Sequence, residues 1–286
     1  NKKNFMIYFN IGCLFLELGR INQAYHYFKK SENLNPKDKR TLWNLSLCLL
    51  TQGDLKKGFD LYEHRWEKEN AAQKKFVDIP KLKEISNIKD KKILVWDEQG
   101  LGDAVHFIRF VIDLSKFSSQ ITLVVDSKLK DIFECFSNQI KITDYKNLVI
   151  ENFDYQIPIC SIPKLLNISK KQEINFYEIR LKEKNLYDKN FKSDKINIGL
   201  TWSGNPNYPM DEFRSINFSH FKDLLDLDFI NFYKLSQSSK FDDEKKFKDF
   251  LNFFDYGNKS LLEISYLMKK LDLVISTDTS IIHLAG

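Results

Sequence analysis

The sequence predicts a helical repeat module followed by two successive α/β units on parallel sheets. Three observations carry this. Residues 5–72 repeat at a period of 34. Two later stretches each run from a short apolar β-type segment into a Gly-containing loop. In both, polar residues collect where a strand should end, which is where open parallel sheets bind ligands.

Residues 5–38 and 39–72 align at an offset of 34: Tyr8 falls on Leu42, Ile11 on Leu45, Phe15 on Leu49, Gly19 on Gly53 and Phe28 on Tyr62. Tyr8, Ile11 and Phe15 share one helical face. The small residues Gly12 and Ala24 allow two helices to approach closely. Gly19 and Gly53 mark tight turns, and Asn35-Pro36 ends the first unit. Gly12, Ala24 and Pro36 stand at signature positions, so the unit resembles the tetratricopeptide repeat. The second unit departs from it at Gly58 and Asn70, and its last helix is expected to run through Trp66 into a linker. Two repeats are fewer than a free-standing array needs, so others precede them or these two dock on the next domain.

The expected division is 1–72 repeats, 73–90 a polar, lysine-rich linker, 91–190 a first Rossmann-like unit and 191–286 a second. In the first, Ile93-Leu94-Val95-Trp96 reads as a strand, Asp103 to about Phe117 as a helix and Ile121–Val125 as a second strand. A helix through Phe136 follows, and residues 147–166 close the sheet irregularly. In the second, Ile196–Thr201 and Phe229–Leu235 read as strands. Ser260 and Glu263 form an S-x-x-E capping box opening a helix through Lys270, and Leu273-Val274-Ile275 is the next strand. The chain ends at Ile281-Ile282-His283-Leu284-Ala285-Gly286 inside a helical pattern without a stop signal, so a fragment with an incomplete last unit is expected.

Composition narrows the function. Forty-four basic and 39 acidic residues, net +5, are mixed along the chain; a nucleic-acid-binding domain would concentrate its basic residues, and none is expected here. No apolar run reaches the length of a membrane span. Cys13, Cys48, Cys135 and Cys160 form no CxxC pair and read as reduced thiols, and no metal site is expected.

Three segments could carry chemistry. In Gln99-Gly100-Leu101-Gly102-Asp103, two glycines let the backbone turn after a strand. Asp103 then stands at a helix start whose dipole favours its ionised form, either as an N-cap or as a general base toward a hydroxyl. The segment has neither GxGxxG spacing nor a following GK[ST]. Ser203-Gly204-Asn205 follows the next strand, and Arg214 could hold a diphosphate alongside loop amides or pair with Asp211 or Glu212. In Asp278-Thr279-Ser280-Ile281-Ile282-His283, a carboxylate and hydroxyls could meet a sugar and a phosphate, or cap the helix that begins there.

EQGLGD after a strand, SGNP after a second-unit strand, DxxRS and DTSxxHLAG, in this order behind repeats, resemble the heptosyltransferase-like glycosyltransferases of the GT-B fold (the ADP-heptose:LPS heptosyltransferase superfamily). The resemblance runs from Phe5 to Gly286. It implies two Rossmann-like domains facing each other across a cleft and inverting, metal-independent transfer, with no cofactor, from a nucleotide-sugar. The acceptor would be a glycan, a lipid-linked glycan or a protein. It matches Asp103 to the general base and Gln99, Gly100 and Gly102 to the acceptor-side loop. Ser203, Gly204, Asn205, Arg214, Gln237, Asp278, Thr279, Ser280 and His283 match the donor side. It further implies a protein partner on the repeats and work in the cytoplasm, at the inner face of a membrane. Tyr208, where relatives often carry His, and Asp97, where they often carry Gly, are departures. The competing reading is a non-catalytic adaptor built on a degenerate transferase.

Overall fold

The computed structural model describes residues 2–67, 74–150, 152–181, 195–208, 211–236 and 252–286. Four helices open the chain: α1 (Lys2–Glu17), α2 (Ile21–Leu34), α3 (Lys39–Gln52) and α4 (Leu55–Tyr62). Each hairpin turns at a glycine in the left-handed region, Gly19 at φ +69° and Gly53 at φ +86°, where a side chain would add strain. Asp38 and Asp54 cap α3 and α4 by accepting from the Thr41 and Lys57 amides. The last helix is shorter than its pattern suggests. It stops at Tyr62 and tightens into a 3₁₀ turn, Glu63–Glu67.

The first sheet is parallel, ordered β3 (Lys141–Asp144), β2 (Ile121–Val125), β1 (Ile93–Trp96), β4 (Tyr155–Pro158). Helix α5 (Leu101–Leu114) follows β1, two residues earlier than the Asp103 start expected and ending before Phe117. Helix α6 (Ser127–Phe133) follows β2, and α7 (Ile162–Leu165) follows β4. Strand β1 is buried throughout, so its run of apolar residues without alternation is what a two-faced parallel strand requires. Strand β3 carries no such run and was not anticipated.

The second sheet repeats the plan, with order β7 (Phe253–Asp255), β6 (Ile230–Lys234), β5 (Ile196–Thr201), β8 (Leu273–Ser276), all parallel. It carries the short α8 (Lys222–Leu225), α9 (Leu261–Met268) and α10 (Ser280–Ala285). The Ser260/Glu263 capping box opens α9, which stops at Met268. Strand β7 also went unread.

One apolar core joins the parts. Leu55, Phe59 and Tyr62 of α4 belong to the same apolar cluster as the first sheet's residues and Leu261, Ile264 and Leu267 of α9, a helix packed on α6. The repeats therefore dock on the α/β region. The connector is not a solvated linker either. Leu82 and Ile88 are buried, and the Leu82 amide donates to the Gln156 carbonyl while the Gln156 amide donates to that of Pro80. These bonds extend the β4 edge by one bridge, Lys81 to Gln156. No described helix is long and apolar enough to cross a membrane.

Candidate active site

Each sheet reverses its strand order once, between β1 and β4 and between β5 and β8. Crevices form at such reversals, outside the carboxyl ends of the strands. The loops after β1, β5 and β8 meet around a single cavity of about 590 Å³. That is within the roughly 300–1,000 Å³ of small-molecule sites. From the first unit come Gln99, Gly100, Leu101, Gly102 and Asp103; from the second come Asn205, Tyr208, Arg214, Asp278, Thr279, Ser280 and His283.

Asp103 occupies the third position of α5, and its Oδ2 accepts the Gly100 amide at 3.0 Å. The N-cap residue is Gly100, so Asp103 braces the helix start from within while facing the cavity. Its pKa shifts opposite to the direction the helix dipole alone would give. Burial pushes the carboxyl above the ordinary carboxylate range, with Asp278 adding to the rise. The Gly100 hydrogen bond and His283 oppose this without overcoming it. One turn along α5, burial and then the charges of Arg109 and His283 push the His106 imidazole below its usual value.

Arg214 is fixed from three sides. Nε donates to Asp211 Oδ1 at 3.0 Å, Nη1 donates to the Asp278 carbonyl at 2.8 Å, and the guanidinium lies 4.6 Å from the Tyr208 ring centroid. The Asp211 pairing weighed from sequence is real, but Asp211 is fully buried, so the pair aims Arg214 from behind and is no surface contact. Gly204 is required by this arrangement, since a Cβ there would lie 2.4 Å from Arg214 Nη2 and 2.5 Å from Asp211 Oδ1. Its amide, expected to be free for phosphate, instead donates to Ser215 Oγ at 3.2 Å. Ser203 is buried beneath the loop and does not line the cavity.

Capping does not account for the third segment. Thr279 is the N-cap of α10 but makes no side-chain cap bond; its hydroxyl lies 3.3 Å from that of Ser276. Asp278 is 81% exposed, and its Oδ1 lies 3.8 Å from His283 Nε2. His283 crosses to the first unit. A Cβ on Gly102 would come within 2.8 Å of its Cδ2. Gly102→Ala is therefore expected to overpack this crossing and cost about 1–3 kcal/mol. The denaturant midpoint reads that loss, and an unchanged midpoint would mean that His283 swings aside freely.

Gln237 lies outside the described residues. Sequence reading missed Tyr208 as a lining residue, although its mismatch with relatives marked it. It also missed Thr201, Ser236 and Thr277. Their buried hydroxyls sit at or just past the ends of β5, β6 and β8 and lack a hydrogen-bond partner among the described residues. Unpaired buried hydroxyls at strand ends are a site signal visible only in three dimensions. No cluster of three or more His, Cys, Asp or Glu among the described residues is placed to hold a metal ion.

Comparison with known proteins places the first repeat in a family. Residues 7–38 match the tetratricopeptide repeat. No curated sequence matches the chain. Solved structures similar to it include the iron-containing dodecameric glycosyltransferase TibC from enterotoxigenic E. coli H10407, at 13% identity and TM-score 0.47 over 69% of this chain and 56% of that one. The E. coli ADP-heptose LPS heptosyltransferase II is similar at 11% identity and TM-score 0.49 over 68% of this chain and 81% of that one. A glycosyl transferase family 9 protein from Veillonella parvula is similar at 13% identity and TM-score 0.48, over 69% and 78%. The chain spans little more than half of TibC's length.

Proposed function

We propose that the protein is a glycosyltransferase that moves a sugar from a nucleotide-sugar to an acceptor hydroxyl, with inversion and without a metal. The observation that supports this best is the opposition of two parallel-sheet reversal points across one cavity, with a carboxylate on one wall and a fixed guanidinium on the other. In this reading Asp103 takes the proton from the acceptor hydroxyl as its oxygen attacks the anomeric carbon. The bond from that carbon to the diphosphate oxygen breaks, and the nucleoside diphosphate departs. A base whose pKa is raised toward the working pH is better matched to that proton transfer than an ordinary carboxylate. Arg214 meets the negative charge that develops on the diphosphate, and its bonds to Asp211 and Asp278 hold it there beforehand. Asp278, exposed to the cavity, accepts from hydroxyls of the donor sugar. The buried hydroxyls of Thr201 and Thr277 lie under the same wall. Glycan or protein acceptors enter on the Gln99–Gly102 side, and the helical repeats offer a surface for a protein partner.

The test is a thermal-shift screen of the protein against ADP-, GDP-, UDP- and dTDP-sugars. A donor at about 100 times its dissociation constant should stabilise the native state by roughly 2.7 kcal/mol. One nucleotide class should do so, and Asp278→Ala, which removes an 81% exposed carboxylate, should abolish the shift while leaving the ligand-free midpoint close to wild type. A folded protein indifferent to all four classes would refute the donor site and favour an adaptor.

A further inference from the structure

The loop that delivers Asp103 is gripped by the helical repeats. Glu98 and Gln99 lie between β1 and α5, and each is bound by a residue at the end of the repeat module. Arg65 donates to both carboxylate oxygens of Glu98, Nε to Oε2 at 2.7 Å and Nη2 to Oε1 at 2.6 Å. Gln99 Nε2 donates to Tyr62 Oη at 2.8 Å. Both gripping residues are themselves anchored. The Tyr62 ring lies 4.8 Å from that of Trp43 on α3, and the Arg65 guanidinium sits 4.9 Å from the Tyr62 centroid. Arg65 also donates to Ser161 Oγ after β4 and to Glu63 Oε1. The gripped residue is unusual in its backbone, since Gln99 has φ +63° although it is not glycine. A side-chain residue stays there only when its surroundings hold it.

From this geometry we infer that Tyr62 and Arg65 are positioning residues of the transfer reaction: the end of the helical repeats holds Glu98–Gly100 in the conformation that points the Gly100 amide at Asp103. The inference rests on the reading of Asp103 as the general base. Its logic is local. Without the Tyr62 and Arg65 contacts, Gln99 would relax toward negative φ. The peptide that follows it would rotate, and Asp103 would lose both its brace and a hydrogen bond to its charged form. Arg65 reaches the reaction only through Glu98, and Tyr62 only through Gln99.

Tyr62→Phe in the full chain removes one oxygen and keeps the ring against Trp43. The measurements are nucleoside diphosphate release from the nucleotide-sugar that most stabilises the wild type, across pH, and hydrogen exchange of the amides around 98–103. In that release water takes the acceptor's place, as the hydroxyl that attacks the anomeric carbon and gives its proton to Asp103. Misplacing the base without unfolding the site should lower kcat about tenfold and leave donor KM within about twofold. The acid limb should move to higher pH, because the Gly100 bond that favours the carboxylate is lost. The 98–103 amides should exchange faster while those of the sheets do not. Faster exchange with an unchanged kcat and limb would make Tyr62 merely structural and overturn the inference, as would no change in any readout. A wild type that releases no diphosphate would refute the transferase reading itself, a separate failure from an active wild type matched by its variant.

Discussion

Asp103→Asn is expected to lower the transfer rate by about 10²–10⁴-fold, the usual contribution of a positioned general base. Asparagine keeps the side chain's shape and can still accept the Gly100 amide through its carbonyl oxygen, so the start of α5 should survive. The pH dependence distinguishes this loss from a folding defect. The active form is the deprotonated one, so the wild-type rate should rise with pH through the Asp103 pKa. Burial puts that limb above the position of an ordinary carboxylate. The variant's residual rate should lack the limb. Stability should move the other way. A carboxyl whose folded-state pKa is raised binds its proton more tightly in the folded state. Its contribution to stability is complete below the unfolded pKa and is lost as pH rises through the folded one. At neutral pH the charged Asp103 thus works against folding, and the variant should melt no lower than wild type. A variant within a few-fold of wild type, or one that keeps the limb, would remove Asp103 from the mechanism.

Arg65→Ala is expected to destabilise the protein by about 3–5 kcal/mol, the usual cost of leaving one partner of a buried pair alone. Arg65 and Glu98 side chains are 3% and 2% exposed, so the abandoned carboxylate cannot recover its hydration. Denaturant midpoints would show the loss. Replacing both residues by apolar ones, Arg65→Met with Glu98→Leu, should recover part of it, because the uncompensated charge is then gone. Recovery will be partial, since the Cys160 amide also donates to Glu98 and would lose that acceptor. Acid offers a second readout. Burial works against the Glu63 charge, yet Arg65 and Lys81, with hydrogen bonds from Lys81 and Ser161, hold its pKa down to about 2. That depressed value adds stability above the unfolded carboxylate pKa of about 4.3, lost as pH falls toward 2. Removing Arg65 should shrink this acid dependence. An Arg65→Ala protein as stable as wild type at pH 7, with the same acid profile, would show the pair to be incidental.

Legibility followed the range of the interactions. Strands β1, β2, β5 and β6 could be read because a strand covered on both faces is largely apolar, and the half-exposed edge strand β8 because Leu273-Val274-Ile275 is itself an apolar run. Strands β3 and β7 could not, since Lys141-Ile142-Thr143-Asp144 and Phe253-Phe254-Asp255 are too short and mixed to stand out. The α9 start was readable because a capping box is chemistry within four residues. At the site, nine of the thirteen residues singled out from sequence meet around one cavity, and a tenth, Arg214, does so with its Asp211 partner turned from rival into support. Ser203 and Gly204 follow β5 as the motif places them but do not line the cavity, because a motif specifies backbone shape before it specifies which atoms remain free.

The sequence by itself determined the helical hairpins, both parallel sheets' central strands and the positions of the polar loops. All of these depend on residues a few places apart, through periodicity, turns and caps. Only the tertiary structure decided that Asp103 is raised rather than depressed, that Arg214 is braced from behind, and that Tyr62 and Arg65 reach the loop before α5. Each of those depends on desolvation or on partners 30 or more residues away, apart from the i,i+3 pair of Asp211 and Arg214. Burial and long-range pairing are set when the elements pack, and no local pattern along the chain encodes them.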